Sequence, residues 1–431
     1  MASGFVNLLK RRAFLPLFLT QFFGAFNDNA YKLSMLTMIS YQLSTSQGQS
    51  EQYQAIAGAL FILPFFLFSA TSGQFADKYD KAFLTRMVKV LEVLLMICGG
   101  IAMCKGSIFF MMLTLTGMGI HSTFFGPIKY AILPDHLAKQ DLLAATGLIE
   151  ASTFVAILLG TTLGTLSIGT SKAIPYLAII MTLSAAGMGL ISSLFIPSNP
   201  VRNDVFVIDY HIGRATLAML QQANEKKGVM LATLTISWFW FIGAVLMTKL
   251  PDYTHYVLGA NTTVFAIFLA LFSIGIAIGS LMINCILKGR VRLKGVPLAM
   301  LAFSVFNFDL YLASPPVSEL KANLMNTCEF FNYFQHWRIA IDLFMLAFCA
   351  GLFVVPLYTY LQVASSPSKR ARTIAANNVY NALFMVFGSL LVMGLLKLKI
   401  TIPQVFLVLC LLNISAAGFV SLGLRNPITC R

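Results

Sequence analysis

The chain has 431 residues, of which 58% are apolar and 11% charged, and its mean hydropathy is +0.80. Ordinary soluble chains carry roughly 45–50% apolar and about 25% charged residues, so a soluble globular domain is excluded. The formal charge of +14 could suit a nucleic-acid partner, but its placement along the chain argues for a membrane-topology signal, and no nucleic acid is expected.

A membrane-crossing helix needs about 20 apolar residues for a hydrocarbon core of about 30 Å. The sequence supplies such runs almost end to end and lacks the alternating segments of an outer-membrane barrel. Twelve spans are predicted, near 14–42, 54–76, 82–103, 107–130, 142–166, 173–196, 228–250, 262–287, 295–313, 337–362, 371–396 and 401–423. The basic start, Lys10, Arg11 and Arg12, leads into the first span with no small-residue cleavage site, so an uncleaved N-terminus is expected. Asn27, Asp28, Asn29 and Lys32 interrupt that span, which makes it the weakest of the twelve. The seven cysteines show no CxxC or Cys/His spacing and read as small packing residues.

With the N-terminus placed inside, 21 basic residues fall at inner ends and 6 in outer loops. Lys/Arg excess marks the cytoplasmic side, so both termini are expected there. An odd number of spans would scramble the alternation, which independently favours twelve. The longest inner connection, 197–227, divides a first bundle (1–196) from a second (228–431), and its middle, from Tyr210 to Gln222, reads as a helix lying on the membrane surface. An internal repeat supports the division. Ala144-Ala145-Thr146-Gly147-Leu148-Ile149-Glu150-Ala151 returns as Ala375-Ala376-Asn377-Asn378-Val379-Tyr380-Asn381-Ala382, each copy preceded by a proline, Pro127 and Pro356.

Charges inside spans carry the most information, because one at the bilayer centre costs at least about 2.5–3.5 kcal/mol and must face protein or a wet cavity. Asp28 with Lys32, and Arg338 with Asp342, are four apart and can neutralise one another locally, which is the expected state of Arg338; Lys89 and Glu92, three apart, form another candidate pair. Asp28 differs from the others because Asn27 and Asn29 flank it, so polar side chains point around most of the helix. That is expected of a helix bordering a transport cavity. Glu150 has no partner on its own helix, and Lys129 is a candidate cation for it. His121 reads as a hydrogen-bonded packing residue. Asp309 lies in the outer half of the ninth span. The aromatic run Phe330, Phe331, Tyr333, Phe334 and Trp337 reads as an interfacial belt or as a surface admitting acyl chains.

In the loop Gly73-Gln74-Phe75-Ala76-Asp77-Lys78-Tyr79-Asp80-Lys81, Gly73 permits close helix approach, while Asp77 can cap an adjacent helix and pair with basic residues. The loop resembles the signature of the major facilitator superfamily, with Asp80 where that family usually has glycine. Gly24-Ala25-Phe26-Asn27-Asp28-Asn29-Ala30, Gly126-Pro127-Ile128-Lys129-Tyr130-Ala131-Ile132-Leu133 and Gly147-Leu148-Ile149-Glu150-Ala151-Ser152 resemble its lysophospholipid transporter branch. Ser237-Trp238-Phe239-Trp240-Phe241-Ile242-Gly243-Ala244, Asp309-Leu310-Tyr311-Leu312-Ala313 and Val354-Val355-Pro356-Leu357 look like the same branch, especially its fusions with an acyltransferase and an acyl-carrier-protein synthetase.

The resemblance implies an all-α membrane protein with the major facilitator fold, twelve transmembrane helices in two pseudo-symmetric six-helix bundles. It implies flipping of lysophospholipids, mainly 2-acyl-glycerophosphoethanolamine, from the outer to the inner leaflet of a bacterial inner membrane, with Asp28, Lys129 and Glu150 as cavity residues. The full expected substrate set is Asp28, Asn29, Lys32, Lys129, Glu150, Asn377, Asn381, Arg338 and Asp342, with Gly73, Asp77, Lys78 and Lys81 as the gating loop. No bound cofactor or metal and no catalytic residue is expected; a coupling ion, H⁺ or Na⁺, is left open. A monomer is expected, with no fused enzyme before the end at Arg431, and a separate cytoplasmic acyltransferase or acyl-carrier-protein synthetase is a candidate partner. Two other functions stay open. One is transport of a soluble organic anion, siderophore or drug. The other is a membrane enzyme using His136 and Asp141, which fit the His-x4-Asp pattern of glycerolipid acyltransferases.

Overall fold

The computed structural model describes residues 2–168, 174–199, 206–315 and 324–425. Lys172, Pro200, Arg202, Lys321, Cys430 and Arg431, which enter the sequence reading, lie outside the described residues. The helices are α1 (Ala2–Leu9), α2 (Leu15–Met38), α3 (Gln47–Lys78), α4 (Lys81–Cys104), α5 (Ile108–Ala131), α6 (Leu133–His136), α7 (Leu142–Leu166), α8 (Tyr176–Leu194), α9 (Ile212–Asn224), α10 (Lys227–Asp252), α11 (Thr262–Leu287), α12 (Val296–Ala313), α13 (Thr327–Phe331), α14 (Phe334–Ala364), α15 (Arg370–Lys397) and α16 (Ile402–Arg425). Among the described residues the only β pairing is one isolated bridge, Ala260 to Met325.

Eleven of these helices are long and apolar enough to cross a membrane. The twelfth expected span is α2, which has the length, 24 residues or about 36 Å, but not the apolarity. The predicted spans at 142–166 and 262–287 coincide with α7 and α11. The largest departure is α3, which begins at Gln47 and not near residue 54. Hydropathy marks the apolar stretch of a helix and not its hydrogen-bonded end. Here the Ser46 side chain accepts from the Gln49 N–H and starts the helix among polar residues.

The chain forms two compact units, Met1–Glu225 with Leu361–Val379, and Lys226–Tyr360 with Tyr380–Arg431. The end of α14 and the start of α15 are therefore described with the first unit.

In the first unit, α2 packs along α7 and α8, α4 along α5 and α8, and α3 along α5. The α2–α7 contact depends on small residues: a Cβ added at Gly164 would lie 2.6 Å from the Ala30 carbonyl oxygen and 3.0 Å from its Cα. Lipid tails are as apolar as the helices, so such close backbone packing is what holds membrane helices together. Gly164→Leu is expected to push α2 off α7, with a loss of about 1–3 kcal/mol or outright misfolding; an unchanged melting temperature in detergent would contradict this. The surface helix expected within 210–222 is α9, and it does more than lie on a membrane. Ala215, Met219 and Ala223 are buried against Ala70, Ala375, Ala376 and Val379.

In the second unit, α12 and α10 pack on α16. Gly275 of α11 meets the α14 backbone closely, a Cβ there falling 2.6 Å from the Phe344 carbonyl oxygen. The aromatic run before α14 divides. Phe330 is buried, 4.0 Å from the His336 ring and 5.7 Å from the Phe268 ring, whereas Tyr333, Phe334 and Trp337 are exposed. Both units wear apolar side chains outward, among them Phe109, Leu166, Leu298 and Val305, and the first buries Lys89, Glu92 and Glu150, the inverse of a soluble protein.

Candidate functional site

The polar triplet of α2 sends its three side chains to three places. Asn29 donates to the Ala25 carbonyl of its own helix, 2.8 Å. Asn27 is fully buried and donates to Glu92 Oε1 of α4, 2.7 Å. Asp28 accepts from the Ser122 hydroxyl of α5, and its side chain keeps 16% exposure. The Asp28–Lys32 salt bridge that the i,i+4 spacing allows does not form among the described residues. Asp28 turns to α5, and the Lys32 ammonium lies 5.5 Å from the centre of the Phe61 ring.

Behind Asp28 stands a buried charge cluster. Lys89 and Glu92 form the expected i,i+3 pair at 2.6 Å, both with fully buried side chains. Their shared neighbour is His121, which sequence reading treated as packing. Its Nε2 lies 3.1 Å from Glu92 Oε2 and its Nδ1 3.9 Å from Asp28 Oδ1. The Lys89 ammonium also sits 4.8 Å from the Phe125 ring centre.

Lys129, the candidate cation for Glu150, makes no salt bridge with it among the described residues. Tyr130 contacts both: its hydroxyl donates to Glu150 Oε1, and Lys129 Nζ lies 4.7 Å from its ring centre. Glu150 is buried on α7. Lys129 follows Ser122, the Asp28 partner, by about two turns of α5. The structure thus brings together Asp28, Lys129 and Glu150, from α2, α5 and α7, in one unit with an acid, base, acid sequence of charge. Asn27, Ser122, His121 and Tyr130 belong to the same constellation. Asn27 and Tyr130 adjoin charged residues in the sequence, whereas His121 and Ser122 lie seven or more residues from any charged side chain and gave no such signal.

The gating-loop residues gather at the α3–α4 turn. A Cβ on Gly73 would fall 2.8 Å from Arg372 Cα, so the glycine allows α3 to meet the start of α15. Asp77 caps that helix as the sequence suggested, accepting from the Ala371 N–H (2.9 Å), the Arg372 N–H (3.2 Å) and Arg372 Nε (2.9 Å). Lys81 reaches Asp135 at 2.8 Å, and Arg370 reaches the same carboxylate at 3.0 Å. Lys78 lies over Tyr79. Asp80 serves as the α4 cap, accepting from the Ala82 and Phe83 N–H groups, which gives this aspartate a local role where a glycine was expected. Asp77→Ala removes two cap bonds and leaves Arg372 unpaired, so a loss of roughly 2 kcal/mol is expected. Thermal unfolding of the purified variant checks it, and Asp77→Asn, which keeps an acceptor, should lose less.

Asn377 is buried in the first unit. Asn381, in the second, accepts from the Ser237 hydroxyl at 2.9 Å. Arg338 bonds to Asp309 through Nε, 2.9 Å, and through Nη2, in place of the expected Asp342. A guanidinium fork takes both oxygens of one carboxylate, and here that carboxylate belongs to α12. Asp342 is buried.

His136 and Asp141 do not pair either. Asp141 accepts from Arg11 at 2.6 Å, while burial holds the His136 imidazole below its ordinary titration range.

Two units of long apolar helices, the first with charged groups buried inside it, define the class: a multi-pass membrane transport protein. Residues 17–389 match the sequence profile of the Major Facilitator Superfamily, and the chain belongs to that family. It is similar to the lysophospholipid transporter LplT of Photorhabdus laumondii, 27% identical over 417 residues, which cover 94% of this chain and 93% of the relative. The Klebsiella pneumoniae protein of the same name is 26% identical over 401 residues, 91% and 90% of the two chains. Among solved structures, the Major Facilitator Superfamily transporter FucP superposes with a TM-score of 0.72 at 12% identity, covering 96% of this chain and 99% of that one. At that identity the likeness concerns the fold alone. The branch read from the sequence motifs is the one to which these relatives belong.

Proposed function

We propose that this protein moves lysophospholipids from the outer to the inner leaflet of a bacterial inner membrane by alternating access, with both termini cytoplasmic. The observation that carries the reading is the charge order in the first unit. Lys129, which makes no salt bridge among the described residues, lies over the ring of Tyr130, whose hydroxyl bonds to Glu150, and about two helical turns beyond Ser122, whose hydroxyl bonds to Asp28. A phosphoethanolamine headgroup is the complement, a phosphate joined to an ammonium by a short linker. Lys129 would hold the phosphate, and Asp28 or Glu150 the ammonium. A soluble anion would satisfy Lys129 but bring no cation to the two carboxylates, whose partners are the Ser122 and Tyr130 hydroxyls. Relatives named for lysophospholipid transport, similar over more than nine-tenths of both chains, support the same substrate class.

The delivered lipid would be a substrate for reacylation by a cytoplasmic acyltransferase or acyl-carrier-protein synthetase. The test is a leaflet-resolved assay in proteoliposomes with fluorescent lysophosphatidylethanolamine. The protein is expected to move it faster than empty vesicles do. A lipid that stays in its starting leaflet, with uptake of a labelled soluble anion instead, would replace the reading by the organic-anion one.

A further inference from the structure

The Asp28–His121 contact has a chemistry that headgroup binding alone does not use. A neutral imidazole carries one N–H and one lone pair. Both nitrogens face carboxylates: Nε2 lies 3.1 Å from Glu92 Oε2, whose carboxylate is held by Lys89 at 2.6 Å and Asn27 at 2.7 Å, and Nδ1 lies 3.9 Å from Asp28 Oδ1. One N–H serves one of them, so with the N–H on the nearer, Glu92 side, Nδ1 turns a lone pair toward Asp28 Oδ1, acceptor against acceptor. Neither ring nitrogen nor Oδ1 makes a hydrogen bond among the described residues, and His121 is 1% exposed. Two facing lone pairs in a buried site are unfavourable, and one proton on either atom makes the contact attractive.

We propose that Asp28 and His121 together hold one exchangeable proton, which is released when a cationic headgroup docks on Asp28. The inference rests on the substrate reading above and adds its coupling. The exchange balances: the protonated pair plus an ammonium group gives the ionised Asp28 paired with that ammonium, a neutral His121 and a free proton. His121 is a positioning residue that sets the charge Asp28 presents. The ionisable groups around the pair are Lys89 and Glu92 from α4, and Lys32 and Lys129, which act on Asp28 from α2 and α5. α3, packed against α5, places no ionisable side chain against His121 among the described residues.

The test uses the full chain in proteoliposomes with an entrapped pH dye. Adding lysophosphatidylethanolamine is expected to release about one proton per lipid moved, whereas lysophosphatidylglycerol, which has no ammonium, releases none. In His121→Gln the proton signal per lipid moved disappears. Lipid movement without proton release, or an undiminished signal in His121→Gln, overturns the proposal. Should the wild type move no lipid, the transport reading fails and a lipid-free readout decides. Of the five histidines, the ¹⁵N imidazole resonance lost in His121→Gln is expected to change position in Asp28→Asn, which alters the group facing Nδ1. A resonance that Asp28→Asn leaves in place overturns the proton site.

Discussion

Asp28→Asn and Lys129→Gln are each expected to lower lysophosphatidylethanolamine translocation by about 10- to 100-fold. A hydrogen bond to a charged group contributes about 1.5–3 kcal/mol, and 1.4 kcal/mol is a factor of ten. The two variants should differ in their dependence on the headgroup. Asn at position 28 keeps the polar contact with Ser122 and removes the charge that an ammonium would meet, so lysophosphatidylglycerol should lose less than lysophosphatidylethanolamine. Gln at position 129 removes the cation assigned to the phosphate, which both lipids carry, so both should fall together. Asp28 keeps 16% side-chain exposure, and Asn and Gln keep roughly the size and the polarity of the side chains they replace, so neither change needs to unfold the unit. Equal loss of both lipids in Asp28→Asn would remove the ammonium from the reading. Wild-type rates in either variant would remove the site.

Glu92→Gln is the substitution with the largest expected effect on stability. Lys89 and Glu92 are both fully buried, 2.6 Å apart. Removing one member of such a pair leaves an uncompensated charge and costs about 3–5 kcal/mol. The variant should express poorly and melt several degrees lower in detergent. Replacing both partners by apolar residues of similar volume, Lys89→Met with Glu92→Leu, should recover much of that loss, since no charge is then stranded. A single Glu92→Gln that melts like wild type would mean that the pair is hydrated and not sealed between α4 and its neighbours.

The spans could be read from the sequence because each is set by a local quantity. An apolar run of about 20 residues becomes a helix in lipid wherever it lies, since the backbone has no other way to satisfy its hydrogen bonds. That is why 142–166 and 262–287 needed no correction, and why α3, whose first residues are polar, did. The same logic located the charges that matter, because a charge in an apolar run is conspicuous. Lys89 with Glu92 was legible for a further reason: residues three apart on one helix are neighbours in any fold.

Partners on other helices were not legible. Asp28 pairs with Ser122 instead of Lys32, Arg338 with Asp309 instead of Asp342, and Tyr130 contacts both Lys129 and Glu150. His121 looked like packing because neither of its carboxylate neighbours is near it in the chain. A local i,i+4 pair competes with every group that packing brings within reach, and the better geometry wins: a forked Arg338 on both Asp309 oxygens exceeds a single bond along its own helix. The sequence by itself determined that the chain crosses a membrane many times and which few charges it carries inward. Only the tertiary structure decided which of those charges neutralise one another and which stay available to a headgroup, because Coulomb energy in a low dielectric depends on distances of a few ångströms across helices, and chain order does not encode those distances.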